Sequence, residues 1–373
     1  MMSNNSSEWQ TKQQKLTAFL EKHQLDGVLL THRNNFAWVT GGRDNHIANN
    51  SPAGVASILA TRDGKRVCFA NHIEAPRMRR EELADTGIET IDYAWYDPNA
   101  ARDSVREVIA GRKIATDSEA FGLPLAPIPG DFAELRWSLT AEEIERYRDG
   151  SRRASDAIEA ACRDLKPGMT GHDIAGILDH YVHANRLNPV VTLVATDENI
   201  EAFRHPVPKP TPMKRTAMLV TCAESAGLIP CVTRFVHFGP MSAERKAKQQ
   251  AICDIDTAVN LATRPGRTLG EIFVDLQNAY AERGHDGQWK LHHQGGSTGY
   301  AGREAFATPG STVKVLENQP FAWNPSIVGA KQEDTVLCTA SGIEVLTKPS
   351  KGWPKVMGEY GGQSLERADV LVM

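Results

Sequence analysis

Cysteine is sparse in this 373-residue chain, and the six present (Cys68, Cys162, Cys222, Cys231, Cys253 and Cys338) show no CxxC spacing. That pattern excludes a zinc knuckle and a disulfide framework, and reduced thiols are expected. No apolar run is long enough to cross a bilayer, and the opening MMSNNSSEWQ is too polar for the core of a signal peptide. A cytoplasmic protein without membrane contact is expected. There is also no excess of one charge: 42 basic and 46 acidic residues are interspersed, for a formal net charge of −4. Such a surface has no long-range field to draw in nucleic acid, so a small-molecule or peptide partner is the expectation.

What is present is enough chain for two domains with proper cores. Leu16, Phe19 and Leu20 recur at helical spacing, and GVLLT from Gly27 to Thr31 then reads as a buried strand. Asp63-Gly64 between two apolar runs signals a hairpin, and the segment around Lys113 to Ser118 reads as another strand. Residues 1–133 therefore read as a small α/β domain leaving through the Pro-rich PLAPIPGD, and residues 134–373 as a second domain.

The second domain repeats itself. KPGMTGHDIAGILDHYVHAN from Lys166 matches RPGRTLGEIFVDLQNAYAER from Arg264 at Pro167/Pro265, Gly168/Gly266, Thr170/Thr268, Ile174/Ile272 and Leu178/Leu276. Each copy has a long helix, a Pro-Gly turn, a threonine-capped helix with an acid three residues on, and then strands. Two αβ halves related by an approximate twofold, with their strands in one sheet and a ligand cleft between them, follow as the expectation.

These halves resemble the pita-bread superfamily of creatinase, prolidase, aminopeptidase P and methionine aminopeptidase. The best local matches are HPVPKP at His205, GLIPCVTRFVHFG at Gly227, HHQGGSTGYAGRE at His292 and NPSIVGAKQEDTVL at Asn324. The resemblance implies an α/β fold with a C-terminal pita-bread domain, and a homodimer in which the N-terminal domain, through His32, Arg33 and Asn34, caps the neighbour's cleft. Metallopeptidases of that superfamily hold two divalent ions with five ligands. By resemblance those positions fall at Cys222 (or Val220), Cys231, Gly296, Asn324 and Glu333. One carboxylate and an amide cannot supply the coordination that such ions need, so no metal cofactor is expected there.

Creatinase, a metal-free member, implies the remaining roles. His205 stands where that enzyme's proton-transferring histidine does, and neutral imidazole can take a proton from water and return it to a leaving nitrogen. Glu333 resembles a glutamate that receives the cationic end of the substrate. Arg303 and Glu304 resemble a Gly-Arg-Glu-Ala segment whose arginine approaches the substrate's carboxylate, a task suited to a planar fork. Thr233 replaces a creatinase glutamate, which argues against creatine itself. Of His292 and His293, strand alternation lets only one face the cleft, and the resemblance favours His292. Cys222, Cys231 and Asn324 would wall the site. Asp334 and Arg234 read as structural.

The expected function is thus a metal-independent hydrolase opening a C–N bond of a small amidine, ureido or cyclic amide. Two alternatives stand beside it. One is a proline-directed metallopeptidase with an atypical site drawn from Cys222, Cys231, His205, His292 and His293. The other is a non-catalytic binding protein on the same fold. A cysteine nucleophile paired with His205 is a further possibility, and would need a lowered thiol pKa.

Overall fold

The computed structural model describes residues 7–119 and 121–373. Of the polar opening segment, residues 1–6 lie outside the described residues. Two compact units result: residues up to Arg136 with Thr140–Glu143, and Trp137–Leu139 with Ile144–Met373.

The first unit begins with helix α1 (Ser7–Lys22), whose Leu16, Phe19 and Leu20 are buried. Strand β1 (Gly27–His32), helix α2 (Arg33–Thr40), strands β2 (Ala53–Thr61) and β3 (Arg66–Asn71), a helical turn α3 (Ala75–Arg77), β4 (Glu89–Tyr93), α4 (Ala100–Ile109), β5 (Ile114–Thr116) and β6 (Ala126–Pro127) follow. They make a six-stranded mixed sheet in the order β4-β3-β2-β1-β5-β6. Gly64 supplies the left-handed turn, φ 87°, between β2 and β3. At the end of β1, the Asp117 carboxylate accepts the backbone amides of Thr31 and His32 and, from α2, the side-chain amide of Asn35.

The second unit opens with the long helix α5 (Ala141–Asp164). Its first half continues through α6 (Gly171–Ala184), β7 (Asn188–Thr196), a short α7 (Asn199–Ala202), β8 (Thr216–Glu224) and β9 (Cys231–His237). The second half has α8 (Ala243–Ala262), α9 (Leu269–Glu282), β10 (Gly295–Ser297), β11 (Ala305–Phe306), β12 (Gln319–Trp323), β13 (Ser326–Ile327), β14 (Ala330–Lys331), β15 (Asp334–Thr339) and β16 (Gly342–Val345). A hairpin, β17 (Lys355–Tyr360) and β18 (Gln363–Ala368), leads to β19 (Leu371–Val372).

The duplication read from the sequence is physical. Thr170 caps α6 and Thr268 caps α9, each in a reciprocal capping box, with Asp173 and Glu271 as the returning acids. Gly168 (φ 95°) and Gly266 (φ 89°) both turn left-handed, and their amides donate to Met213 O at 2.8 Å and Val315 O at 2.9 Å. Ile174 and Leu178 lie in the core of one half, Ile272 and Leu276 in that of the other.

The strands do not form the single ladder expected. Four strands run β19-β9-β8-β7 and five run β11-β10-β12-β15-β16. Where β9 meets β15, the Thr335 hydroxyl takes the place of a backbone partner, accepting from Cys231 N at 2.8 Å and donating to Cys231 O at 3.0 Å. A backbone bond from Thr233 N to Glu333 O, 3.1 Å, continues the seam. Arg234 and Asp334, 3.0 Å apart, lie beneath it, and Arg367 lies 2.6 Å from Asp256 and 3.3 Å from Asp334. All four side chains are fully buried, so each charge depends on its neighbours for the solvation that water would give.

Candidate functional site

Glu333 immediately precedes β15, at the seam between the halves. Its Oε2 accepts the Thr233 hydroxyl at 2.7 Å and lies 2.9 Å from Lys331 Nζ. Its Oε1 lies 3.1 Å from Arg303 Nη2. Burial alone would push this carboxyl up, but Lys331 and Arg303 overcome burial and hold it at about 2. Glu333 is thus a fixed anion inside a cage of two cations. Lys331 did not stand out in the sequence, yet the signal was there: in extended chain, positions two apart share a face, and Lys331 stands two before Glu333.

The hairpin β8–β9 supplies the adjoining wall. Cys222 and Cys231 are cross-strand partners. Their thiols interact, and Arg303 Nη1 lies 3.5 Å from Cys231 Sγ. Sharing a proton with Cys231, together with burial, pushes the Cys222 thiol well up, and Cys231, which accepts that proton and faces Arg303, is pulled down. Among the described residues, no contact joins either thiol to His205.

The third component is imidazole. His205 follows α7, and its neighbour Arg204 anchors that loop by donating to Ile327 O at 2.9 Å. His292 and His293 follow a short 3-10 turn, Gln288–Leu291. Gln294 clasps this segment, donating to His292 O at 2.7 Å while accepting from Tyr280 Oη at 2.8 Å. The backbone at 292–293 is not in a strand, so alternation does not operate, and both histidines turn toward His205. This corrects the expectation that only His292 would face the cleft. His205 Nε2 and His292 Nε2 are 2.9 Å apart, and the His293 ring centroid lies 5.4 Å from that of His205. Burial, with the Lys331 ammonium second, lowers His292 to about 2, and burial, with Arg303 second, lowers His293 to about 4. His205 is lowered for the same first reason, so all three are uncharged at neutral pH.

The other expected residues lie around this centre. Thr233 commits its hydroxyl to Glu333. Asn324 is buried, its backbone N–H donating to Gln294 O at 3.1 Å and its side-chain Oδ1 without a partner among the described residues. Glu304 is half-buried, and its amide pairs with Ser297 O at 2.9 Å. An ion pair of the metallopeptidase kind does not fit. Gly296 has φ 148°, and a Cβ there would come within 2.1 Å of Ala305 O, leaving no room for a histidine. Glu333, the surviving carboxylate, is already occupied by Lys331 and Arg303.

This geometry has relatives. Residues 145–340 match the family described as metallopeptidase family M24, and residues 12–127 match the creatinase/prolidase N-terminal domain. The chain belongs to metallopeptidase family M24, a family of hydrolases, and its fold is the pita-bread fold expected from the sequence. It is 22% identical over 364 residues to an uncharacterized peptidase of Staphylococcus aureus, covering 91% of this chain and all of that one. Among solved structures, a prolidase from Pyrococcus horikoshii superposes with a TM-score of 0.74 at 18% identity, covering 91% of this chain and 99% of that one. An Xaa-Pro dipeptidase from Bacillus anthracis gives 0.75 at 16% identity, over 98% of this chain and all of that one. At these identities the structural likeness is one of fold. No helix among the described residues is long and apolar enough to cross a membrane.

Proposed function

We propose that this protein is a peptidase-type hydrolase that opens the amide C–N bond of a small, carboxylate-bearing substrate. Its reaction centre has moved from the family's ion-binding positions to the imidazole cluster. The comparisons favour a peptidase over the amidine or ureido hydrolase expected from the creatinase resemblance. The observation that carries the reading is the closure of Lys331 and Arg303 on Glu333. Two cations around one carboxylate leave one positive charge beside three uncharged imidazoles, so the cleft attracts an anion.

In this reading the substrate's carboxylate approaches the Arg303 and Lys331 side. Its amide carbonyl then lies toward His205, which is exposed and reaches the cleft. A lone pair on the cluster draws a proton from the attacking water, and that proton is returned to the departing nitrogen as the C–N bond breaks. Beside His205, a cavity of 310 Å³ lined by Phe203, Pro206, Val207 and Val194 gives an apolar side chain a place. The family resemblance adds a homodimer, checked by light scattering.

The test is a panel of dipeptides, including Xaa-Pro pairs, and N-acyl amino acids, each with its amidated counterpart, followed by mass spectrometry. Free carboxylates should be cleaved at least roughly tenfold faster in kcat/KM than amides. His205→Ala should lower kcat by about 10²–10⁴. Folded protein that cleaves no member of the panel, with or without added zinc, would end this reading.

A further inference from the structure

We propose that His205, His292 and His293 together hold one divalent transition-metal ion, at a place separate from the positions where the family resemblance puts its ion pair. One ring nitrogen from each of the three lies within 4.8 Å of the other two. A tetrahedral ion with nitrogen ligands at about 2.0–2.1 Å sets its ligands about 3.3 Å apart. The 2.9 Å between His205 Nε2 and His292 Nε2 is already on that scale, and small rotations of the rings bring all three to it.

A second observation points the same way. Nδ1 of His293 is buried and finds no hydrogen-bond partner among the described residues. A buried ring nitrogen is ordinarily satisfied, and one left open beside two further imidazoles is a lone pair waiting for an acceptor. Imidazole suits zinc, copper, nickel and iron, whereas calcium and magnesium demand oxygen.

Three protein ligands leave a tetrahedral ion one open position, the arrangement of a catalytic rather than a structural centre. The charged groups facing the cluster set its character. Glu333 favours a cation, while Lys331 and Arg303 oppose it. A dication here therefore needs an anion in its fourth position, and carboxylate ligands should tighten its binding.

This site rests on the cluster's geometry and deepens the functional reading: with the ion bound, the three ring lone pairs are committed to it, and the ion in place of a free imidazole would activate the water. Tag-free protein would be dialysed against zinc, passed through a desalting column and analysed for metal, with and without an N-acyl amino acid. One zinc per chain is expected. It should be lost in His205→Ala and in His292→Ala and kept in Cys231→Ser, and zinc should raise the Tm of the wild type and of Cys231→Ser but not of the two histidine variants. Zinc retained by His205→Ala, zinc lost in Cys231→Ser, or folded wild-type protein that takes up none would each overturn the site. Zinc held by the cluster without hydrolysis would remove the functional reading and leave the site standing. Hydrolysis by protein that binds no zinc would do the reverse.

Discussion

The ammonium of Lys331 lies 2.9 Å from the carboxylate of Glu333, and both side chains are almost wholly shielded from water. In the family resemblance Glu333 occupies a metal-ligand position. Here the chain supplies the cation itself, as a side chain two residues upstream.

Lys331→Met should destabilise the protein by about 3 kcal/mol, the lower end of the cost of leaving one partner of a buried ion pair alone, because Arg303 and Thr233 still hold Glu333. Adding Glu333→Gln should restore more than half of that loss. Urea unfolding midpoints decide it, and a double variant no better than the single one would show that the loss does not come from a stranded Glu333 carboxylate.

Acid should weaken the protein through the same carboxylate. Its folded pKa of about 2 lies below the ordinary 4.5, so its contribution is complete above pH 4.5 and disappears as pH falls toward 2. The difference amounts to on the order of 3 kcal/mol. Glu333→Gln should flatten the acid limb of stability against pH by about that amount, and an unchanged limb would contradict the assigned shift.

Gly296→Ala should destabilise by about 1–3 kcal/mol or more, since the added methyl meets the Ala305 carbonyl. Gly296→His, the change that would reinstate a family ligand, should fail to give folded protein. A well-folded Gly296→His variant with the wild-type Tm would refute the close approach.

Cys222 and Cys231 should join under mild oxidation. The amide of Ala223 bonds to Pro230 O, and Cys231 N points away to Thr335, so the two cysteines form a non-hydrogen-bonded pair. Such pairs have Cα atoms about 4.5 Å apart, within the span of a disulfide. Diamide treatment of the folded protein followed by peptide mass mapping should show this link before any involving Cys162 or Cys253, which are buried on other elements.

Much of this was legible beforehand, for reasons that differ by residue. The capping boxes at Thr170 and Thr268 are local, carried by side chains three residues apart, so both halves could be read from sequence. The neutralised positions Cys222, Cys231, Gly296 and Asn324 were visible because a missing charge is a property of the residue itself. Lys331 was hidden because its meaning depends on where Glu333 points. The orientation of His293 is not legible in this way, because strand alternation does not govern a segment held irregular by Gln294, whose clasp spans Tyr280 and His292. The split between the two ladders depends on one hydroxyl, that of Thr335, and nothing in its immediate neighbours announces that it will insert beside Cys231.

The buried run of Arg234, Asp334, Arg367 and Asp256 draws on β9, β15, β18 and α8, and so on both copies of the repeat. Neither copy can come apart alone without stranding a charge in a dry interior. Each half has its stability tied to the other, and heat should melt the pair in a single cooperative step.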